Sequence, residues 1–356
     1  MIIVLDTTET HNDLYLEGSN YVLLHSFILS HPARLIVPQI VVEETITHYR
    51  NSVAAALDQE HQGYRSLSSL VRSVPARPEV TCDLSEVTEA YKAVLQRRLK
   101  FLHAEQPIYT SVPIEAIVQR ALSHRKPFDE KGHNGWRDAV LWETILQVLA
   151  EGIERVVLIT RNRGDFGDHG HLAQDLVDDL KQRGLADDVL RVCDGLGRFV
   201  ADSVKPHLEK LEKIKHDLQQ GEFEGFDAWT FYSDSRCDLE NALSKRISTY
   251  GLNKLLSGLV ESPDYVDNIE EVSIAPKADD YEIVDVWNVD DTEMAVGMSV
   301  TTGATIRYVE ERYMDPDEPA EKFLAEADAN LRLDLTVILE RSTGEVVQWE
   351  LDDYHM

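Results

Sequence analysis

The sequence contains few cysteines and no long apolar run. Its three cysteines, Cys82, Cys193 and Cys237, are far apart and show no Cys-x-x-Cys spacing, which argues against a disulfide framework and against a zinc site. No segment approaches the roughly 20 uninterrupted apolar residues that span a membrane. The first residues also lack the basic flank of a secretory signal. These absences predict a soluble protein of the reducing cytoplasm, with no membrane partner.

Basic residues are also scarce, and the excess of acid is uneven. The 356-residue chain has 35 Lys+Arg and 64 Asp+Glu, a net charge of -29. Residues 1–204 carry 21 basic and 29 acidic residues, whereas residues 205–356 carry 14 and 35. Proteins that hold nucleic acid usually do so through a basic surface, so only the N-terminal part is expected to contact phosphates.

Short basic runs remain in the N-terminal part. They are residues 97–100, Arg120 with Arg125 and Lys126, and Arg161 with Arg163. Each run either contacts phosphates or lies on a solvated face. The acidic pairs at 178–179 and 187–188 are predicted to be exposed.

Apolar runs alternate with helical patterns over the first 200 residues. Residues 2–5, 34–37, 155–160 and 190–193 are predicted to be short buried strands, and residues 139–149 have helical periodicity. This alternation indicates a parallel α/β sheet flanked by helices, forming a domain over residues 1–204. The segment from about 52 to 130 is largely helical in pattern and is predicted to be an insertion.

A second, acidic domain is predicted over residues 205–356. Its first part, to about residue 262, is helical in pattern, and a period of two dominates from about 280 to 354. The predicted strands are residues 282–287, 294–300, 304–309, 333–339 and 346–351, with a hairpin turn at 342–345. The fold class is therefore a parallel α/β domain followed by a smaller α+β domain with an antiparallel sheet.

Acidic residues stand near the carboxyl ends of the predicted parallel strands. Asp6 ends the first strand, Glu43 and Glu44 begin the helix after the second, Asp138 lies in the helix before the third, and Asp165 follows the third. Side chains at these ends converge in open α/β sheets. Carboxylates that share a crevice repel one another unless a divalent cation neutralises them. Ligation by oxygen alone favours Mg²⁺ or Mn²⁺ over zinc.

The same segments resemble the PIN-domain ribonucleases, and within them the DUF4935-like group with a helical insertion. The matching pieces occur in order at residues 3–8 (IVLDTT), 37–45 (VPQIVVEET), 135–143 (GWRDAVLWE) and 159–166 (ITRNRGDF). The resemblance covers about residues 1–195. It implies a metal-dependent endoribonuclease that hydrolyses RNA phosphodiester bonds with Mg²⁺ or Mn²⁺, of a kind found among toxin-like and defence-related effectors.

The resemblance also implies which acids bind the metal. Asp6, Glu44 and Asp138 occupy the family's metal-binding positions, and Glu43 replaces Glu44 if the register shifts by one residue. Asp6, Glu44 and Asp138 are the expected catalytic acids, together with Asp165 after the third strand.

The fourth metal-binding position departs from the family's commonest pattern. An acid usually stands two residues after the strand-ending threonine, but here Asn162 stands two residues after Thr160. Asn162 offers a neutral oxygen ligand, and Asp165 is expected to supply the missing charge or to belong to a turn. The hydroxyls of Thr7 and Thr160 are expected to orient carboxylates or water around the acids. The arginines expected to hold substrate phosphates are Arg137, Arg161 and Arg163.

Two other functions remain open at this point. One is a catalytically impaired PIN-like module for protein interaction, in which Asn162 reflects lost catalysis. The other is a structure-specific DNA nuclease, because the metal chemistry does not distinguish the two sugars. The acidic C-terminal domain is predicted to bind a protein partner or to restrain the nuclease, and a homodimer is one expected assembly.

Overall fold

The computed structural model describes residues 1–71, 82–109, 112–152, 155–168, 171–250, 266–290, 292–312 and 321–355. The chain divides into two compact units, Met1–Leu208 and Glu209–Met356, where composition had placed the boundary between residues 204 and 205. Within the described ranges, no helix combines the length and the hydropathy needed to cross a membrane.

The first unit combines short strands with helices. Its strands are β1 (Ile2–Leu5), β2 (Arg34–Ile36), β3 (Val156–Thr160), β4 (Gly167–Asp168), β5 (His171–Leu172) and β6 (Leu190–Asp194). Its helices are α1 (Thr7–Thr10), α2 (Ser19–Ser30), α3 (Gln39–Leu70), α4 (Leu84–Phe101), α5 (Ile114–Leu122), α6 (Trp136–Glu151), α7 (Arg163–Phe166), α8 (Gln174–Gln182) and α9 (Leu196–Phe199). A π-helical stretch, Val200–Val204, leads into α10 (Lys205–Gln220), which crosses the unit boundary.

The main sheet of the first unit is parallel throughout. Its strand order is β2-β1-β3-β6, and every residue of β1 and β3 is buried. Such strands are mainly apolar because helices cover a parallel sheet on both faces. The predicted α/β class is confirmed, and all four strands end at the same edge, next to the acids identified in the sequence.

Helices α3, α4 and α5 follow β2 along the chain and precede β3, where the insertion was predicted. The insertion cannot be separated from the helix after β2, because α3 runs unbroken for 32 residues from its cap at Pro38. Only its first turns are buried, at Val41, Val42 and Thr45. The first turns of α3 therefore belong to the core and place Glu43 and Glu44, while residues 72–81 and 110–111 of the insertion lie outside the described residues.

One predicted surface residue lies in the interior. Asp179 of α8, expected on an exposed face, is only 6% exposed. It accepts hydrogen bonds from Trp142 Nε1 (2.9 Å) and Arg125 Nη2 (2.8 Å) and pairs with the buried Arg120. Those three donors come from elsewhere in the chain, so local sequence could not reveal the burial.

The second unit packs two helices on an antiparallel sheet. Helix α11 spans Ala228–Tyr250, and the strands are β7 (Val266–Ile274), β8 (Asp280–Asn288), β9 (Glu293–Arg312), β10 (Glu321–Glu340) and β11 (Val346–His355). The order is β11-β10-β9-β7, with β8 also paired to β9. Alternate residues of β10, from Leu331 to Leu339, are buried with α11 side chains such as Leu239 and Leu243. The predicted antiparallel C-terminal sheet and its last hairpin are confirmed.

Several strand boundaries in this unit differ from prediction, and β10 begins at Glu321 whereas residue 333 was expected. The strands expected at 294–300 and 304–309 are one strand, β9, whose pairing with β10 is continuous from Glu293 to Arg312. The linking residues Thr301, Thr302 and Gly303 remain extended because each pairs across to β10. Strand β7 also precedes the predicted start of the sheet near residue 280. Of the helix predicted to about residue 262, residues 251–262 lie outside the described residues.

Candidate active site

Asp6 lies at the carboxyl end of β1, where it caps α1. Its Oδ1 accepts a hydrogen bond from the Thr7 N–H (2.7 Å), and its Oδ2 accepts from Thr8 Oγ1 (2.9 Å) and Thr160 Oγ1 (2.6 Å). The side chain is buried. Burial raises the pKa of Asp6, and the two threonine hydroxyls oppose this by donating to the charged form. The carboxylate is therefore held in one orientation by the ends of two adjacent strands.

Glu44 reaches the same region from the second turn of α3. Its Oε2 accepts from Thr7 Oγ1 (2.7 Å), and its Oε1 forms an ion pair with Arg137 of α6. Glu43, the alternative ligand, lies elsewhere and accepts from the Tyr109 hydroxyl (2.9 Å). Successive residues of a helix point about 100° apart, so only one of the two glutamates faces Asp6's side of the sheet edge, and it is Glu44.

The start of α6 is fixed by a glycine. Gly135 has a φ of 110°, and a Cβ at this position would lie 2.4 Å from the Pro127 carbonyl oxygen. Only glycine tolerates both the left-handed conformation and this close approach. The helix therefore begins at Trp136, whose ring packs edge-on against Phe128 at 5.0 Å, and Asp138 falls in its first turn.

Asp138 is half-buried among the other acids. Its carboxylate receives no hydrogen bond from any residue in the described part of the chain. Burial, followed by the negative charges of Asp6, Asp165 and Glu44, raises the pKa of Asp138 to about 7. Four acids that are distant in sequence therefore share one electrostatic environment.

Asn162 and Asp165 complete this edge of the sheet. Asn162 Nδ2 donates to Asp165 Oδ2 (2.9 Å), and the Asn162 backbone N–H donates to Thr160 Oγ1 (2.9 Å). Lys126 Nζ lies 3.6 Å from Asp165 Oδ1. Asn162 therefore forms a hydrogen bond with Asp165, the residue that was expected to supply the missing negative charge.

Comparison with known proteins gives one finding. Residues 3–166 match the family model of the PIN domain. The chain carries a PIN domain. The match runs from β1 to α7 and includes all four acids, and PIN domains are in general nucleases. No match was found among curated proteins or solved structures. The resemblance expected from the sequence is confirmed for this segment.

The arginines expected to hold phosphates already have acidic partners in the PIN domain. Arg137 pairs with Glu44, Arg161 with Glu9 and Arg163 with Asp194. All three side chains are more than half exposed. A guanidinium has five N–H donors, so each can hold its carboxylate and still present donors to solvent at the rim of the site.

Two residues of the site were missed by the sequence analysis. Thr8 Oγ1 donates to Asp6 and accepts from the Arg161 backbone N–H (3.0 Å). Glu9 is buried, and its Oε2 accepts from the Leu196 N–H (2.8 Å) at the start of α9. The signal was present in the run Asp6-Thr7-Thr8-Glu9, where hydroxyls and acids follow a buried strand without a break.

The acids of the PIN domain fit a hard divalent cation by donor type. Within the described residues, no three or more His, Cys, Asp or Glu side chains are arranged as ligands of one metal ion. Two of the acids form ion pairs, Glu44 with Arg137 and Asp165 with Lys126. The donors are nevertheless carboxylate and amide oxygens, which suit Mg²⁺ or Mn²⁺.

Proposed function

We propose that the PIN domain of this chain is a divalent-cation-dependent endoribonuclease that hydrolyses RNA phosphodiester bonds. The supporting observation is Asp138, a half-buried carboxylate that receives no hydrogen bond from the described residues and whose pKa is raised to about 7 by burial and by three neighbouring acids. Burying a charge without a partner is unfavourable. A cation at this place offsets the cost, and a structural role for Asp138 gives no comparable reason for the arrangement.

The proposed ligands of Mg²⁺ or Mn²⁺ are Asp6, Glu44, Asp138 and Asp165, with the Asn162 side-chain oxygen as a neutral donor. When bound, such a cation lowers the pKa of a coordinated water and stabilises the charge that develops on the phosphate. Asn162 stands where the family's commonest pattern has an acid, and Asp165 supplies the fourth negative charge of the proposed set. We expect an acid at position 162 to bind the cation more tightly, because it adds a further charged ligand.

The remaining residues of the site orient these ligands and hold the substrate. Thr7 donates to Glu44, and Thr8 and Thr160 both donate to Asp6 Oδ2. These hydroxyl donors fix the orientation of each carboxylate and the direction of its free lone pairs. The exposed guanidiniums of Arg137, Arg161 and Arg163 are the proposed contacts for phosphate groups on either side of the cleaved bond.

A cleavage assay with matched variants tests the proposal. Purified full-length protein is incubated with end-labelled single-stranded RNA, and with DNA of the same sequence, in Mg²⁺, Mn²⁺ or EDTA. We expect RNA to be cut only with a cation. Asp6→Asn and Asp138→Asn should lower the rate more than about a hundredfold, because even the hydrogen-bond partners of metal ligands are worth 10–100-fold. Asp188→Asn, which removes an exposed acid of the same unit, should cut as fast as wild type.

Each alternative predicts a different result. Faster cutting of DNA than of RNA would make the protein a DNA nuclease. A folded protein that cuts neither would be an interaction module. Cleavage that persists in EDTA, or that is as fast in Asp6→Asn and Asp138→Asn as in wild type, would refute the assignment of the acids.

We also propose that the protein is a toxin-like or defence-related effector in the cytoplasm, restrained by its acidic second unit. This proposal is supported by the charge, because residues 205–356 carry 35 acidic and 14 basic residues and each unit has its own core. Inducible expression of the full chain, of residues 1–208 and of residues 1–208 with Asp138→Asn tests it. We expect the greatest growth arrest from residues 1–208 and none from the variant. Equal arrest by the full chain and by residues 1–208 would remove the restraining role.

A further inference from the structure

We propose that a cavity beside the candidate active site binds a phosphate group of the nucleic-acid strand on which the site acts. The cavity has a volume of about 240 Å³ and lies between α5, α6 and α8. Arg120, Arg125 and Arg183 line it, together with Glu143 and Asp179. The inference deepens the proposed nuclease function, on which it rests for the identity of the strand.

Asp179 fixes two of the three arginines. Arg120 is buried and donates to Asp179 Oδ2 and to the Lys126 carbonyl oxygen. Arg125 Nη2 donates to Asp179 Oδ1 (2.8 Å). Because Trp142 Nε1 also donates to Oδ2 (2.9 Å), both oxygens of this carboxylate are occupied. Asp179 therefore orients guanidiniums and has little capacity left to satisfy their other N–H groups.

The arginines at the mouth of the cavity have many unused donors. The Arg125 side chain is 32% exposed and that of Arg183 is 44% exposed. Towards the described residues, Arg125 donates from Nη2 alone, to Asp179 and to the Asp175 carbonyl oxygen, and Arg183 donates from Nη2 alone, to Glu143 Oε2 (3.3 Å). In the described part of the chain, Arg120 Nε is buried without an acceptor. Since each guanidinium has five donors, the cavity presents a surplus of N–H groups.

The charge of the cluster favours an anion. Three guanidiniums face two carboxylates, Asp179 and Glu143. Burial raises the pKa of Glu143 despite the two arginines beside it, which reduces its tendency to carry a full negative charge. A buried cluster with excess positive charge is stabilised by a bound anion, and a phosphate oxygen accepts from arginine in a two-pronged geometry that matches the guanidinium.

The cavity is next to the candidate active site along the chain. Arg125 lines the cavity, and the following residue, Lys126, reaches Asp165 with its Nζ at 3.6 Å. Helix α6 carries Asp138 in its first turn and Glu143 five residues later, about 7.5 Å along the helix axis and about 140° around it. The link between the two places is therefore the pair Arg125 and Lys126, and a strand that lies across the acids passes Lys126 before it reaches a phosphate position at Arg125.

Binding of RNA in EDTA tests the proposal without requiring cleavage. The affinity of full-length protein for a fluorescent 12-nucleotide RNA is measured by anisotropy at several salt concentrations. Arg125→Gln and Arg183→Gln should each weaken binding severalfold and reduce the slope of log affinity against log salt by about 1, as expected for one lost phosphate contact. Arg125→Lys should keep most of the slope. Arg198→Gln, which removes an exposed arginine paired with Asp202 outside this cavity, should change neither.

The salt slope separates binding from folding, because a misfolded fraction lowers the active concentration and leaves the slope unchanged. Unchanged slopes in both glutamine variants would overturn the proposal, as would failure of the wild type to bind RNA. A rise in melting temperature with inorganic phosphate that these variants abolish, combined with unaltered RNA slopes, would show a site for free phosphate and would also overturn it. If RNA is bound with the expected slopes but never cut, the phosphate subsite stands and the nuclease assignment falls.

Discussion

Replacing Asp138 with asparagine should make the PIN domain more stable in EDTA at neutral pH. The reason is the electrostatic cost of the wild-type residue, because burial and the charges of Asp6, Asp165 and Glu44 raise the pKa of Asp138 from its usual 3.8 to about 7. Asparagine has a similar shape and no charge. It removes the repulsion without requiring a proton.

The expected size of the effect follows from the two pKa values. A difference from 3.8 to about 7 corresponds to at most about 4 kcal/mol, at about 1.4 kcal/mol for each pH unit. Asp138 is only half-buried, so solvent screening reduces this to about 1–2 kcal/mol. For a unit of this size, such a gain raises the melting temperature by about 2–8 °C.

The pH dependence has a defined sign. A raised folded-state pKa means that the folded protein keeps a proton which the unfolded chain has lost, so wild-type stability falls as the pH rises from about 4 to about 7. The advantage of Asp138→Asn should therefore be absent near pH 4, grow through this window and stay constant above pH 7. Melting curves in EDTA at several pH values measure it, with Asp188→Asn as the control.

Saturating Mn²⁺ should reverse the order of the two proteins. A ligand present at 100 times its Kd stabilises the folded state by about 2.7 kcal/mol, and the asparagine variant loses much of this binding. A variant that is less stable than wild type in EDTA at pH 7 would refute the account of Asp138, and equal melting temperatures at all pH values would refute it equally.

Three further substitutions test individual contacts of the site. Glu44→Gln should reduce cleavage by more than about a hundredfold, whereas Glu43→Gln should leave it near wild type, because Glu44 contacts the Thr7 hydroxyl beside Asp6 and Glu43 contacts Tyr109. The loss should exceed the 10–100-fold effect of removing a hydrogen-bond partner of a ligand, because Glu44 is itself a proposed ligand. Cleavage rates of the two variants measure this, and a larger loss in Glu43→Gln would make Glu43 the ligand. Thr160→Val should lower cleavage about 10–100-fold, because a hydrogen-bond donor to a proposed metal ligand is lost. Circular dichroism should show little change in fold. The control variant is Thr144→Val, a buried threonine whose hydroxyl donates to the Val140 carbonyl oxygen of its own helix. Asn162→Asp should lower the melting temperature in EDTA and lower the Mn²⁺ concentration needed for cleavage, and a variant that does neither would exclude this side chain from the ligands.

The parallel sheet could be predicted because its strands are buried on both faces. Such strands are continuous apolar runs, and residues 2–5 and 156–159 contain nothing else. Helix α2 carried no comparable signal, because its apolar residues are spread around the helix and are not confined to one stripe. The continuity of β9 was hidden for a related reason, since threonines and a glycine in the middle of a strand resemble a turn until the partner strand is known.

The candidate site could be predicted to the extent that strand ends place it. Asp6, Glu44 and Asp138 were identified by their position after or beside strands, and all three lie at one edge of the sheet in the structure. The sequence did not predict that Arg137 pairs with Glu44 or that Lys126 pairs with Asp165. These contacts join residues that are 93 and 39 positions apart. Local sequence specifies which element carries an acid, whereas only tertiary packing decides what that acid touches.

The basic runs show the same division between local and tertiary information. Arg120 and Arg161 look alike in the sequence, since each stands near a second basic residue, yet Arg120 is 7% exposed and the Arg161 side chain is 54% exposed. A guanidinium can be buried only where a carboxylate meets it, and the partner of Arg120 is Asp179, 59 residues away. Arg120 and the partly exposed Arg125 share one carboxylate, that of Asp179. The basic run of Arg120, Arg125 and Lys126 suggests a single surface patch in the sequence. In the structure it is divided between the buried Arg120 and the partly exposed Arg125 and Lys126.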